Sequence, residues 1–212
     1  MSFLDEILTV RQRKALRLLG PATAQRDFYL AGGTAIALQL GHRRSVDFDW
    51  FLEDRIADPL RLAGEIRDEG IPFQSGQVAR GTLYGSLYGV RVSFLEFHYP
   101  MLDPLVPWTE YGCRLAGLRD LASMKLSAIT QRGSRKDFVD LYALGQTGQA
   151  LPDMLAWYGE KFGVKDLGHV LYALAYFDDA ESERMPRMIW KTPWDKIKRT
   201  IRAWVHDLRP FP

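Results

Sequence analysis

In the run Ser45-Val46-Asp47-Phe48-Asp49-Trp50-Phe51, acidic and aromatic residues alternate. A period of two is the pattern of a strand with one covered face. On such a strand both carboxylates point the same way, roughly 7 Å apart at Cα, while Phe48 and Trp50 face a core. Two like charges on one face repel each other unless a cation lies between them. A hard ion such as Mg²⁺ takes one or two protein carboxylates and completes its shell with water and substrate phosphate. The Asp47–Asp49 pair therefore reads as a metal platform.

Just upstream, Phe28-Tyr29-Leu30-Ala31 reads as a short buried strand stopped by Gly32-Gly33, and Thr34–Leu40 as a helix ending at Gly41. Glycines let backbone approach a ligand closely because no Cβ intervenes. Their N–H groups, with the free N–H groups of the helix start, make an anion site to which the Thr34 hydroxyl can add a bond. Gly-Gly before a helix is also a common tight turn, and Asp-x-Asp at a strand edge is often solvated surface. Together, in this order, they point to nucleotide chemistry.

Further out, a helix is expected from about Leu4 to Leu19, ended by Gly20-Pro21, and another over Pro59–Asp68 with Gly70 just beyond it. Phe73–Tyr99, punctuated by Gly76, Gly81, Gly85 and Gly89, reads as hairpins or a meander whose strongest strand is Val90–Phe97. Pro100–Pro107 holds three prolines and reads as a linker. Beyond Gly117, helices are expected at about Leu118–Arg132, Lys136–Leu144, Leu151–Phe162, Leu167–Phe177 and Pro193–Leu208. The expected fold class is α/β (α+β): a mixed sheet with flanking helices at 1–112, then a helical domain at 113–212, with the active cleft between them.

At 212 residues the chain has room for one large or two small domains, since typical domains hold roughly 100–150 residues. With 47% hydrophobic and 25% charged residues it has an ordinary globular composition, and a net charge of +2 does not announce nucleic-acid binding. The tail from Arg187 is locally basic, with Lys191, Lys196, Lys198, Arg199, Arg202 and Arg209. The single cysteine, Cys113, allows no internal disulfide and suits a reducing cytoplasm. The opening Met1-Ser2-Phe3-Leu4 lacks the basic-then-apolar order of a secretory signal. No stretch approaches the ~20 apolar residues of a membrane span, so a cytoplasmic, membrane-free location is expected. His98, His169 and His206 show no zinc spacing. Ser45 lacks a nucleophile elbow, and no Walker or dinucleotide fingerprint occurs.

The run Gly32-Gly33-Thr34-Ala35, Leu38, Gly41-His42-Arg43, Ser45, Asp47-Phe48-Asp49-x-Phe51 resembles the nucleotidyltransferase signature of AbiEii-type toxins, within the polymerase-beta-like nucleotidyltransferase superfamily. Lys125, Arg132 and Lys136-Asp137-Phe138-x-Asp140-Leu141 resemble the family's second block, so the likeness spans most of residues 28 to 145. The resemblance implies a nucleotidyltransferase-like sheet. It also implies transfer of a nucleotidyl group from an NTP, with loss of pyrophosphate, under Mg²⁺ or Mn²⁺. The implied acceptor is RNA, such as the 3′ end of a tRNA, and the implied partner is a cognate antitoxin protein. Asp47 and Asp49 would hold metal. Gly32, Gly33 and Thr34, with Arg43, Ser45, Arg132 and Lys136, would bind the nucleotide. Lys125 would meet the triphosphate, with Asp137 in the catalytic set. Many members place a third carboxylate on a strand near the pair. Here Val90–Phe97 offers Ser93 and Glu96, on opposite faces. Glu96 is expected to complete the metal set; Ser93 in that place would leave the third ligand missing.

Several of these residues also have plainer readings. Asp137 sits in a helix first turn that Ser134 can cap, where it complements the dipole. Asp137 and Asp140 share one helical face, as a ligand site also requires. Lys125, inside an apolar segment, must snorkel to water or pair with an anion. Arg132 is a nucleotide contact or a favourable charge near a helix C-terminus. His42 reads as a loop-ordering residue, and Arg43 as a phosphate contact or a shaper of the aspartate loop. The basic face of the tail helix is either solvated or follows an RNA backbone. Trp157, Tyr158, Tyr172, Tyr176 and Phe177 read as helix–helix core. Two other function classes stay open: a relative that binds nucleotide or a partner without turnover, and a transferase that modifies a protein or small molecule.

Overall fold

The computed structural model describes residues 3–208; Met1, Ser2 and Arg209 lie outside the described residues. In chain order the elements are α1 (Val10–Ala24), β1 (Tyr29–Ala31), α2 (Gly32–Leu40), β2 (Asp47–Leu52), α3 (Pro59–Asp68), β3 (Gln74–Ala79), β4 (Thr82–Leu87) and β5 (Val90–Glu96). They continue with β6 (Val106–Trp108), β7 (Cys113–Leu115), α4 (Leu118–Arg132), α5 (Arg135–Gln146), α6 (Leu151–Phe162), α7 (Gly168–Ala175), α8 (Asp178–Glu181) and α9 (Trp194–His206).

The strands form one mixed sheet in the order β3-β4-β5-β2-β1-β7-β6. The expected meander is present as antiparallel β3, β4 and β5. Strand β2 lies inside the sheet, antiparallel to β1 and parallel to β5. Phe48 and Trp50 are fully buried on one of its faces, as the alternation requires. Central placement fixes the register strongly, because a slip of one residue would turn both aromatics out and both carboxylates in.

Three boundaries differ from expectation. α1 runs through Gly20-Pro21 to Ala24. Gly20 packs directly on the Tyr111 carbonyl, where no Cβ would fit, so this glycine serves close contact rather than helix termination. The start of α1 is fixed by Thr9, which caps the Gln12 N–H while the Gln12 side chain accepts from the Thr9 N–H at 3.0 Å. The expected linker contains β6, and β7 places Cys113–Leu115 in the sheet, beyond residue 112.

α4 packs against α5, α6 and α7, and α9 against α5 and α7. Trp157, Tyr158 and Phe177 join the hydrophobic core, as expected. Tyr172 and Tyr176 do not: they are 73% and 42% exposed, stacked on each other with ring centroids 6.2 Å apart. α7 turns only Val170 and Leu174 fully inward, so Tyr172 falls on its outer side, and Tyr176 follows the helix in extended conformation.

A buried ion pair ties α4 and α6 to the segment between β5 and β6. Lys161 on α6 donates to Asp120 on α4 at 2.6 Å and to the Pro100 carbonyl at 2.8 Å. Asp120 also accepts from the Leu102 N–H at 3.0 Å and the Asp103 N–H at 3.0 Å. The proline-rich segment is thereby held to both helices.

Candidate active site

β2 and β5 run side by side with Asp47 opposite Arg91 and Asp49 opposite Ser93. Those four side chains share one face and open into a cavity of about 600 Å³. The Gly32-Gly33 turn forms another part of the wall, the Arg43–Val46 loop a third, and α4 closes the opposite side through Met124, Lys125 and Arg132.

Gly32 sits at φ +67°, a left-handed conformation that glycine adopts without penalty. A Cβ there would come within 2.9 Å of the Asp49 carboxylate. The turn and the aspartate are thus in direct contact. α2 begins at Gly32, so its first backbone N–H groups, which have no helical partner, lie at the cavity wall. Thr34 behaves otherwise: it is buried, and its hydroxyl donates to the Asp47 carbonyl. It does not line the cavity, and its hydroxyl is not free for a phosphate. It fastens the glycine turn to the aspartate strand.

Asp47 accepts a two-pronged bond from Arg91, Nε to Oδ1 at 2.7 Å and Nη2 to Oδ2 at 3.0 Å. Asp49 forms no ion pair among the described residues. Burial pushes its carboxyl above the usual range; the Ser93 hydroxyl opposes that shift and the Asp47 charge adds to it. A half-buried carboxylate with no ion-pair partner, next to a second carboxylate, is a poor arrangement unless a positive ligand arrives. The donors are hard oxygens and suit Mg²⁺ or Mn²⁺, which bind through one or two carboxylates plus phosphate oxygens. Among the described residues there is no group of three or more His, Cys, Asp or Glu arranged to hold a metal.

Glu96, expected to supply a third ligand, is misplaced for it. It lies opposite Leu52, on the other face from Asp47, Asp49 and Ser93. Its Oε1 accepts from the Ile56 N–H at 2.6 Å, and its Oε2 lies 3.1 Å from His98 Nε2. The parallel register puts Ser93 beside Asp49 instead.

Beneath the glycine turn lies a buried charge cluster centred on Asp140. Its Oδ1 receives Arg43 Nε at 2.6 Å and His42 Nε2 at 2.7 Å; its Oδ2 receives Arg43 Nη2 at 2.8 Å and Lys125 Nζ at 2.8 Å. Burial raises the Asp140 carboxyl, but Lys125 and Arg43 outweigh it and hold it well below the usual range. Burial likewise drives His42 down, beyond what Asp140 restores, so the ring is neutral and donates through Nε2. Asp137 is also fully buried and lies off the cavity wall. It accepts from Lys125 at 2.7 Å and from Arg132 Nε at 2.8 Å. It therefore positions two cations rather than touching a ligand. Lys125 is held charged by both aspartates against the opposing effect of burial. Two of its three N–H donors point at those aspartates, and the ammonium also borders the cavity.

Of the residues marked from sequence, Gly32, Gly33, Arg43, Ser45, Asp47, Asp49, Lys125, Arg132 and Lys136 all line the cavity, while Thr34, Asp137 and Glu96 do not. Arg91, Pro186 and Arg187 line it unannounced. The last two belong to a strap that crosses the Gly41–Arg44 loop. The Arg44 N–H donates to the Arg187 carbonyl at 2.8 Å, and the Ile189 and Trp190 N–H groups donate to the His42 carbonyl at 2.9 and 3.0 Å.

The sheet order, flanking helices and position of the acidic strand are those of a nucleotidyltransferase-like fold. It is shared with MenT4, the nucleotidyltransferase toxin Rv2826c of Mycobacterium tuberculosis H37Rv, at a TM-score of 0.57 and 16% identity over 94% of this chain and 84% of that one. JHP933 from Helicobacter pylori also has a TM-score of 0.57, at 15% identity over 97% and 92% of the two chains. No family model matches the chain. It is 33% identical over 204 residues to the uncharacterized protein aq_aa25 of Aquifex aeolicus (strain VF5), covering 94% of this chain and 98% of the relative, and it belongs to that protein's family.

Proposed function

We propose that the chain is a Mg²⁺-dependent nucleotidyltransferase that moves a nucleotidyl group from an NTP to an RNA acceptor such as the 3′ end of a tRNA. We further propose that it acts as the toxin of an AbiE-like pair in the cytoplasm, opposed by an antitoxin protein. The observation that carries the enzymatic reading is the contact between the Gly32-Gly33 turn and Asp49, with Asp47 on the same face of one cavity.

Asp47 and Asp49 would hold the metal, with Mn²⁺ as the alternative ion. Bound there, the ion supplies charge against the triphosphate and acidity to the attacking hydroxyl. The chain's own residues bind and orient. Backbone N–H groups at the start of α2 receive phosphate oxygens. Arg132 and Lys136 offer further cations from the helical side, Lys125 completes the positive wall, and Asp137 and Asp140 hold Lys125 in place. The cavity lies between the α/β portion and the helices, which suits a cleft entered by two substrates. Exposed Lys196, Arg199 and Arg202 on α9 favour a nucleic-acid acceptor. Among the described residues no helix is long and apolar enough to cross a membrane.

A second reading rests on Ser93: without a third carboxylate, the chain would bind nucleotide without turnover. The test is incubation with labelled NTPs, Mg²⁺ and total RNA or total protein, comparing the native chain with Asp49→Ala. Label on tRNA that disappears in the variant supports the proposal. Label on protein or a small molecule moves the acceptor to another class, and nucleotide binding without any transferred label establishes the second reading.

A further inference from the structure

The cations around the cavity are not equivalent. Arg43 and Lys125 are buried and committed to Asp137 and Asp140. Arg91 is different: its side chain is 73% exposed, and its fork takes up both oxygens of Asp47. Among the described residues it is the cation that pairs with the acidic couple, and Asp49 pairs with none. On parallel neighbouring strands Arg91 stands directly opposite Asp47 and on the same face, so the contact needs no distortion of either strand.

Building on the metal-binding reading above, we propose that Arg91 is a built-in, displaceable counter-ion. It neutralises Asp47 in the empty site, gives way to the divalent cation, and then places its guanidinium on a phosphate of the incoming nucleotide. A dication at the same oxygens carries twice the charge of the guanidinium, and an exposed ion pair is weak enough to be exchanged. The released fork remains on a cavity-facing strand position, one residue pair from Ser93, and its planar donors match phosphate oxygens as well as they match a carboxylate. Arg91 is thus a positioning residue before nucleotide entry and a ligand contact after it.

The experiment is a Mn²⁺ titration followed by electron paramagnetic resonance, first with metal alone and then with a non-hydrolysable NTP analogue titrated at saturating Mn²⁺. The chains compared are native, R91Q, R91K, R44Q and D49N. R91Q is expected to bind Mn²⁺ alone about fivefold more tightly, the worth of an exposed ion pair. The same variant is expected to bind the analogue about tenfold more weakly, through loss of a charge-assisted phosphate contact. R91K, a point charge without the fork, should fall between the native chain and R91Q in both titrations. R44Q removes a positive charge from the cavity wall without touching Asp47, and should change Mn²⁺ affinity less than twofold. A merely structural Arg91 would not shift the two affinities in opposite directions. Unchanged Mn²⁺ affinity in R91Q, an equal gain in R44Q, or undiminished analogue binding in R91Q overturns the proposal. Undiminished Mn²⁺ binding by D49N would instead overturn the metal-binding reading on which it rests.

Discussion

Asp140→Asn replaces one carboxylate oxygen by an amide NH2 and keeps the volume, yet it removes the anion that Arg43, Lys125 and His42 share. Arg43 and Lys125 are each 4% exposed, so water at the cavity wall replaces little of the lost anion. With Asp140 ionised the cluster of Arg43, Lys125, Arg132, Asp137 and Asp140 carries three positive and two negative charges; the variant leaves three against one. Breaking a buried pair by removing one partner costs about 3–5 kcal/mol. For a chain of this size each kcal/mol lowers Tm by about 2–4 °C, which gives a fall of roughly 6–20 °C. Acid titration of the melt supplies the second reading. The Asp140 carboxyl is held well below its ordinary 3.8 in the folded chain. Its contribution is therefore complete above the unfolded value and lost as pH falls below about 4 toward the folded one. The native chain should lose stability on acidification more steeply than Asp140→Asn. A variant that melts within 2 °C of the native chain at neutral pH, with the same acid limb, would show that the cluster is not held by this carboxylate.

Gly33→Ala ought to gain about 0.5–1 kcal/mol from helix propensity alone. Because its Cβ would overlap the Arg43 guanidinium and approach Asp140 Oδ2 to 3.3 Å, we expect a lower Tm and weaker NTP binding; a rise in Tm with intact binding contradicts the close packing described. Thr34→Val removes the donor to the Asp47 carbonyl and should cost about 1 kcal/mol, or about 2–4 °C of Tm, together with lower Mn²⁺ affinity; unaltered metal affinity would show that the tether does not set Asp47. Asp49→Asn removes a carboxylate that burial already disfavours. It should abolish nucleotidyl transfer while leaving Tm equal to or above the native value, and a sharp fall in Tm would mean that this carboxylate is paired in the folded chain.

β2 was legible because two signals agree there: a period of two, and aromatics opposite carboxylates. The glycine turn and the helix after it were legible for the same reason, each element closing on the next. The third-ligand question was not, since Ser93 and Glu96 differ in parity and only the Asp49–Ser93 register decides between them. The role of Thr34 depends on a partner thirteen positions away across a turn. Asp137 carried the right motif but the wrong distance from the cavity, because a helix face says which residues travel together and not what covers them. Gly20-Pro21 reads locally as a stop, and only the Tyr111 carbonyl packed against Gly20 shows that this glycine serves a close contact. Tyr172 followed a helical spacing that α7 does not use for burial, and Tyr176 lies just past the end of that helix.

The strap at Pro186–Trp190 has a consequence for the order in which the molecule matures. During synthesis the acidic strand and the glycine turn leave the ribosome long before the segment whose backbone holds the His42–Arg44 loop. A growing chain therefore carries the cavity-facing Asp47 and Asp49 before the backbone clamp on the His42–Arg44 loop has been made. The buried Arg43–Asp140 contact thus depends on a loop whose backbone partners are among the last residues around the cavity to be synthesised.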